Sequence, residues 1–229
     1  MNSVPTPVVF IPALLCDEAM YGDVIAELGD AIEPRVLLSP KPRLEDSVAD
    51  LLARAPARFV LAGSSYGGNL ALEMALAAPQ RVTALWLMGF NPSAAPHGRP
   101  DLAAGLEAAP DAVIDMLAAL VVRKEATAAA ATFKAMARRL GGAVGAAQAR
   151  AAAARQDASS RLARLAMPAL VLWGADDPLA SVAVGRALAD GLPHAQFQVL
   201  EDCGHLPALE QPAECAARFR SFLQSIGQS

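Results

Sequence analysis

Apolar runs of strand length recur along the chain, each closed by a turn signal. They are VVFIPA (8–13), RVLLS (35–39), RFVLAGS (58–64), VTALWLMG (82–89), ALVLWGA (169–175) and AQFQVLE (195–201). The runs are near-continuous rather than alternating, as expected of strands covered on both faces in a parallel sheet. Between them lie segments apolar at helical spacing: 17–29, 44–55, 69–78, 181–192 and 212–226. Gly29, Pro79 and Pro193 supply stop signals, and Pro212 suits a first helical position. Strand and helix alternate, which predicts a doubly wound α/β domain.

Residues 91–165 break this rhythm, with no strand signal but with helical spacing at 111–122, 131–140 and 146–156. Gly141-Gly142 separates the last two. An all-helical insertion between two strands of an α/β domain suits a lid or a partner-binding surface. The expected organisation is a core of residues 1–90 and 166–229 with a helical cap at 91–165.

Composition narrows the function classes. The 229 residues are 54% hydrophobic and 18% charged, with a mean hydropathy of +0.33, the make-up of a core-rich globular chain. A net charge of −4 with no basic patch argues against nucleic acid as a partner. No apolar stretch approaches the roughly 20 residues of a membrane span, and the first residues lack the basic start of a signal peptide. No membrane partner and a cytoplasmic location are expected. Cys16, Cys203 and Cys215 cannot all pair with one another and match no zinc spacing, so they read as reduced thiols. No cofactor or metal is called for.

The stretch GSSYGG (63–68) carries the first chemical signal. Centred on Ser65 it fits Gly-x-Ser-x-Gly; centred on Ser64 the flanks become Ala62 and Tyr66, and the fit fails. Such a turn lifts the middle side chain out at the end of a strand, and a Cβ two positions before or after would collide. A serine hydroxyl is a weak nucleophile that needs an imidazole, and the imidazole needs an acid. Of three histidines, His194 falls in a surface turn and His97 in a loop opening the insertion. His205, in EDCGHLPALEQP (201–212), follows a strand and reaches the same sheet edge as Ser65. ALVLWGADDPL (169–179) ends another strand and supplies Asp176 and Asp177.

With GSSYGG, WGADDPL and EDCGHLPALEQP in this order, nearly the whole chain resembles the α/β-hydrolase superfamily, in its branch of small single-domain hydrolases with a helical cap. The resemblance implies a mainly parallel sheet of about six strands in the order 2-1-3-4-5-6, with helices on both faces. It implies Asp177 as the acid, three residues after Gly174, and an oxyanion hole whose first N–H belongs to Tyr66. The second donor comes from the loop after the first strand, where Pro12-Ala13 stands in place of the family's usual His-Gly. That register gives Leu14, with Ala13 or Leu15 as alternatives.

The activity so implied is a serine hydrolase of small, mostly apolar esters, thioesters or lactones, with a small-molecule acyl substrate and an acyl-Ser65 intermediate. Carbon–carbon bond hydrolysis or acyl transfer on the same three residues, and ligand binding without turnover, are the alternatives. Leu14, Tyr66, Met116, Leu117, Leu120, Leu179 and Leu206 are the candidate substrate-contacting residues. Arg99, Arg123 and Lys124 are the candidate clamps for a substrate carboxylate.

Overall fold

The structure, a computed structural model, describes residues 5–95 and 101–227. Six strands form one sheet: β1 (Thr6–Ile11), β2 (Ile32–Val36), β3 (Phe59–Ser64), β4 (Val82–Met88), β5 (Ala169–Gly174) and β6 (Ala195–Leu200). Their order is β2-β1-β3-β4-β5-β6, and every neighbouring pair is parallel. This is the strand order that the resemblance implies.

The near-continuous apolar runs follow from burial on both faces. Side chains alternate across a strand with a period of two, so each run divides between two cores. Val8, Phe10, Trp86, Leu170 and Leu172 face one side. Val9, Ile11, Leu85, Leu87, Val171 and Trp173 face the other. The first side is covered by α1 (Gly22–Leu28) and α9 (Pro212–Ser225), and the second by α2 (Leu44–Arg54), α3 (Tyr66–Ala77) and α7 (Val182–Gly191).

Several elements depart from the predicted bounds. β2 begins and ends three residues before the apolar run that predicted it, and Leu37 to Ser39 lie past its end. Its sequence IEPRV is polar because it is the sheet's edge, where Pro34 lacks an N–H without breaking a central ladder. The helix expected over 17–29 divides into a 3₁₀ turn, Glu18–Met20, and α1, the turn being capped by the Asp17 carboxylate on Ala19 N–H. α3 starts directly after Ser65 rather than at Asn69.

Between β4 and β5 run α4 (Leu102–Ala108), which the sequence did not announce, α5 (Pro110–Val121) and α6 (Thr127–Ala153). Gly141 breaks α6 with φ 80° and ψ 165°, as the glycine pair suggests. Helical residues continue directly on either side, so the break is a kink rather than a loop. Past the kink α6 lies so close to its neighbours that a Cβ at Gly145 would run into the Leu15 side chain. Leu106, Leu117, Phe133 and Met136 of the three helices belong to the same core as Phe10 and Trp86. No helix among the described residues is long and apolar enough to cross a membrane.

A parallel sheet delivers the C-terminal ends of all its strands to one edge. There the segments after β1, β3, β4, β5 and β6 meet.

Candidate active site

Ser65 connects β3 to α3 with φ 54° and ψ −122°, a backbone conformation that non-glycine residues seldom adopt. Such a residue costs on the order of 1–3 kcal/mol and persists only where its surroundings hold it. The surroundings here are specific. Ser65 N–H donates to Met88 O at 2.9 Å. A Cβ on Gly63 would overlap the Gly67 carbonyl and Ala71, and one on Gly67 would overlap the carbonyls of Ile11 and Pro12. The two glycines therefore let α3 pass over the ends of β1 and β3. Ser64, by contrast, is wholly buried, and its hydroxyl has no partner among the described residues.

The Ser65 hydroxyl lies 2.8 Å from His205 Nε2. His205 Nδ1 lies 2.9 Å from Oδ1 and 2.8 Å from Oδ2 of Asp177. A carboxylate only accepts, so Nδ1 carries the proton and donates it. Nε2 then bears a lone pair and accepts from the Ser65 hydroxyl. Asp177 is fixed in turn, since its Oδ1 accepts the N–H groups of Leu179 at 2.8 Å and Ala180 at 2.9 Å. Both residues are buried, Asp177 at 8% exposure and His205 at 4%. Asp176 points elsewhere and pairs with Arg123, at 3.2 Å from Nε to Oδ2.

The loop after β1 offers four N–H groups, those of Ala13, Leu14, Leu15 and Cys16. Ala13 donates to Met20 Sδ at 3.3 Å, and Leu15, at φ 60°, donates to Gln148 Oε1 at 2.9 Å. Cys16 N–H closes the turn onto Ala13 O. Leu14 N–H has no such partner among the described residues. Tyr66 N–H belongs to the first turn of α3, where N–H groups lack helical acceptors.

Ser65 and His205 open into a cavity of about 240 Å³. Leu14, Tyr66, Leu117, Leu179 and Leu206 line it, together with Leu102, Val121 and Phe133 of the insertion. Met116 and Leu120 do not. They lie on the outward face of α5, exposed at 53% and 38%, because Leu117 and Val121 take the inward face. A larger groove of about 910 Å³ between α2, α3 and the end of α6 contains none of Ser65, Asp177 and His205.

Of the basic candidates, Arg123 is engaged by Asp176 and Asp202, Lys124 lines a different hollow, and Arg99, like His97, lies outside the described residues. Arg155, which sequence reasoning passed over, borders the cavity, with Nε donating to Ser93 O and Nη1 to Ala152 O. His194 is exposed. Cys16, Cys203 and Cys215 are buried free thiols, and burial above all pushes their pKa values up, so none offers a thiolate near neutral pH. Gly89 was also missed. At φ 56° it directly follows β4, and a Cβ there would press on the His205 carbonyl and approach Nδ1 and Asp177 Oδ2. Its only signal in the sequence is a glycine closing a strand.

A family model described as "Alpha/beta hydrolase family" matches residues 21–218. The chain is 33% identical over 199 residues to the pimeloyl-[acyl-carrier protein] methyl ester esterase of Aromatoleum aromaticum, covering 76% of this chain and 78% of that protein. It is 33% identical over 168 residues to the 2-hydroxy-6-oxononadienedioate/2-hydroxy-6-oxononatrienedioate hydrolase of Cupriavidus pinatubonensis, covering 65% of this chain and 56% of that protein. Among solved structures, the enol-lactonase of Burkholderia xenovorans superposes with a TM-score of 0.87 at 19% identity, covering 97% of this chain and 93% of the other. A thermophilic esterase of Thermogutta terrifontis superposes at 0.86 with 22% identity, covering 98% and 91%. At these identities the two structures show a shared fold.

Proposed function

The chain belongs to the alpha/beta hydrolase family, and on that premise we propose that it is a serine hydrolase of small, mostly apolar esters, thioesters or lactones. The observation that carries the reading is the unbroken relay of hydrogen bonds from the Ser65 hydroxyl through His205 to Asp177. Ser65 Oγ attacks the carbonyl carbon while Nε2 takes its proton. The Asp177 carboxylate stabilises the imidazolium that forms. The N–H groups of Leu14 and Tyr66 receive the negative oxygen, each donor being worth about 2.7–4 kcal/mol in such sites. His205 returns its proton to the leaving group, and acyl-Ser65 remains. Water activated by the same imidazole then releases the acid.

The cavity supports a small substrate. Its volume of about 240 Å³ falls below the roughly 300–1,000 Å³ of pockets that hold drug-sized ligands. Its walls from α4, α5 and α6 give the insertion the role of a cap over Ser65.

A second reading, carbon–carbon bond hydrolysis, gains support from two observations. One relative is named for dienedioate and trienedioate substrates, and the basic residue Arg155 borders the cavity. Turnover of a carboxylate-bearing diketone faster than of any neutral ester, with KM raised by Arg155→Gln for the diketone alone, selects this reading.

A fluorophosphonate probe tests both, because both need an active serine. Wild type and Ser64→Ala are expected to label, and Ser65→Ala to stay unlabelled and lose p-nitrophenyl acetate hydrolysis by at least about 10³-fold. Labelling retained in Ser65→Ala overturns the assignment of the nucleophile.

A further inference from the structure

Glu210 ends the short helix α8 (Pro207–Glu210), five residues beyond His205. Its carboxylate is half-buried and takes no part in the chemistry above. Oε1 accepts the N–H of Gly204, the residue before His205, at 3.1 Å. Oε2 accepts the N–H of Arg123, just past the end of α5, at 3.1 Å. One side chain thus spans two segments far apart in sequence. One segment presents His205, and the other follows the helix whose Leu117 and Val121 line the cavity. Arg123 extends the link, since its guanidinium pairs with Asp176 beside the acid and donates to Asp202 O at 2.6 Å.

We propose that Glu210 is a positioning residue, whose two carboxylate oxygens tie the His205 loop to the end of α5 and so hold the imidazole against Ser65. The proposal rests on the serine-hydrolase reading. The chemistry of the clasp requires two acceptors. A glutamine of the same shape brings one carbonyl oxygen, and its NH₂ then faces a backbone N–H, donor against donor. Glu210→Gln therefore unties one strap while preserving volume. The carboxylate is also costly to keep, because burial disfavours its ionised form. A group retained against its own solvation, on the loop of the proposed base, is accounted for by what it orients.

The experiment compares wild type, Glu210→Gln and Glu210→Ala in the rate of fluorophosphonate labelling and in kcat and KM for p-nitrophenyl acetate, each checked for cooperative melting. Displacement of a reacting group by about 1 Å can cost 10²-fold, so kcat and the labelling rate are expected to fall together by roughly 10-fold in Glu210→Gln and roughly 100-fold in Glu210→Ala, with KM within about 2-fold. Should Glu210→Ala fail to fold, Glu210→Gln decides the matter alone. Arg123→Gln keeps the backbone N–H that Glu210 accepts and is expected to lose less than Glu210→Gln. Folded variants that label at the wild-type rate, or that raise KM with kcat intact, overturn the proposal. A wild-type protein inert to the probe overturns the hydrolase reading instead.

Discussion

Asp177 and Asp176 are neighbours in sequence with opposite surroundings. The first is buried, holds two backbone N–H groups and faces His205; the second lies at the surface against Arg123. Asp177→Asn would place an NH₂ where Nδ1–H now donates, favouring the tautomer in which Nε2 carries the proton and cannot take one from Ser65. In a comparable triad that change costs about 10⁴-fold in kcat, and a loss of that order is expected here, whereas Asp176→Asn should stay within about 10-fold. Steady-state hydrolysis of one ester by both variants measures the contrast. Glu210 gives a second prediction at this scale. Burial raises its pKa above the ordinary 4.5, opposed first by the backbone N–H groups of Arg123 and Gly204 and last by the Arg123 cation, with the Cys203 and Cys215 thiols nearby. A carboxyl that binds its proton more tightly in the fold contributes full stability below its unfolded pKa and loses it as pH rises through the folded value. The melting temperature of wild type minus that of Glu210→Gln should therefore decrease from pH 4.5 toward neutrality. Ser65, His205 and the choice of Asp177 were legible because each stands in a short local motif. Gly89 and Glu210 were not, since their partners are brought to them only by the folded sheet edge.

At the scale of elements, α6 shows how a helix reaches a loop that it never adjoins in sequence. The kink at Gly141 turns its second half toward the loop after β1, where buried Gln148 accepts the N–H of Leu15. With Ala13 N–H already given to Met20 Sδ, that bond leaves Leu14 N–H the one of the three candidates without an acceptor among the described residues, which supports the proposal of Leu14 over Ala13 and Leu15 as the second oxyanion donor. Gln148→Leu strands a buried donor, at a cost of about 1–3 kcal/mol. The expected outcome is a lower urea midpoint together with slower acylation, measured by the burst with p-nitrophenyl acetate. A glycine pair inside a helical pattern announced the break, but the direction of the bend depends on Leu15 and Leu106, which no local pattern supplies. Edge strand β2 was misplaced for a related reason. The apolar letters Leu37 and Leu38 outweighed the polar letters of a strand with a single neighbour.

Over the whole molecule, the two faces of the sheet carry different duties. One face packs α2, α3 and α7, and hence the helix that Ser65 starts. The other packs α1, α9 and the insertion, with Trp86 and Phe219 stacked at 4.3 Å and an interplanar angle of 13°. Phe219 lies on α9 and outside the cavity, so Phe219→Ala is expected to lower stability by about 3–5 kcal/mol while kcat per folded molecule stays unchanged. Denaturant titration followed by tryptophan emission, with active-site titration of the folded fraction, separates the two effects. The alternation of strand and helix made this architecture readable from the sequence, because sheets buried on both faces write themselves as apolar runs. The walls of the cavity were less readable, since an apolar residue on α5 looks the same whether it faces inward, like Leu117, or outward, like Met116.

The burial of all three native cysteines makes the molecule a ready host for site-directed reporters. Replacing outward-facing Met116 by cysteine would install a lone surface handle for a maleimide dye on the helix that borders the cavity at Ser65. The emission of such a dye during turnover would register any hinging of that helix, with no background from the sulfur already inside.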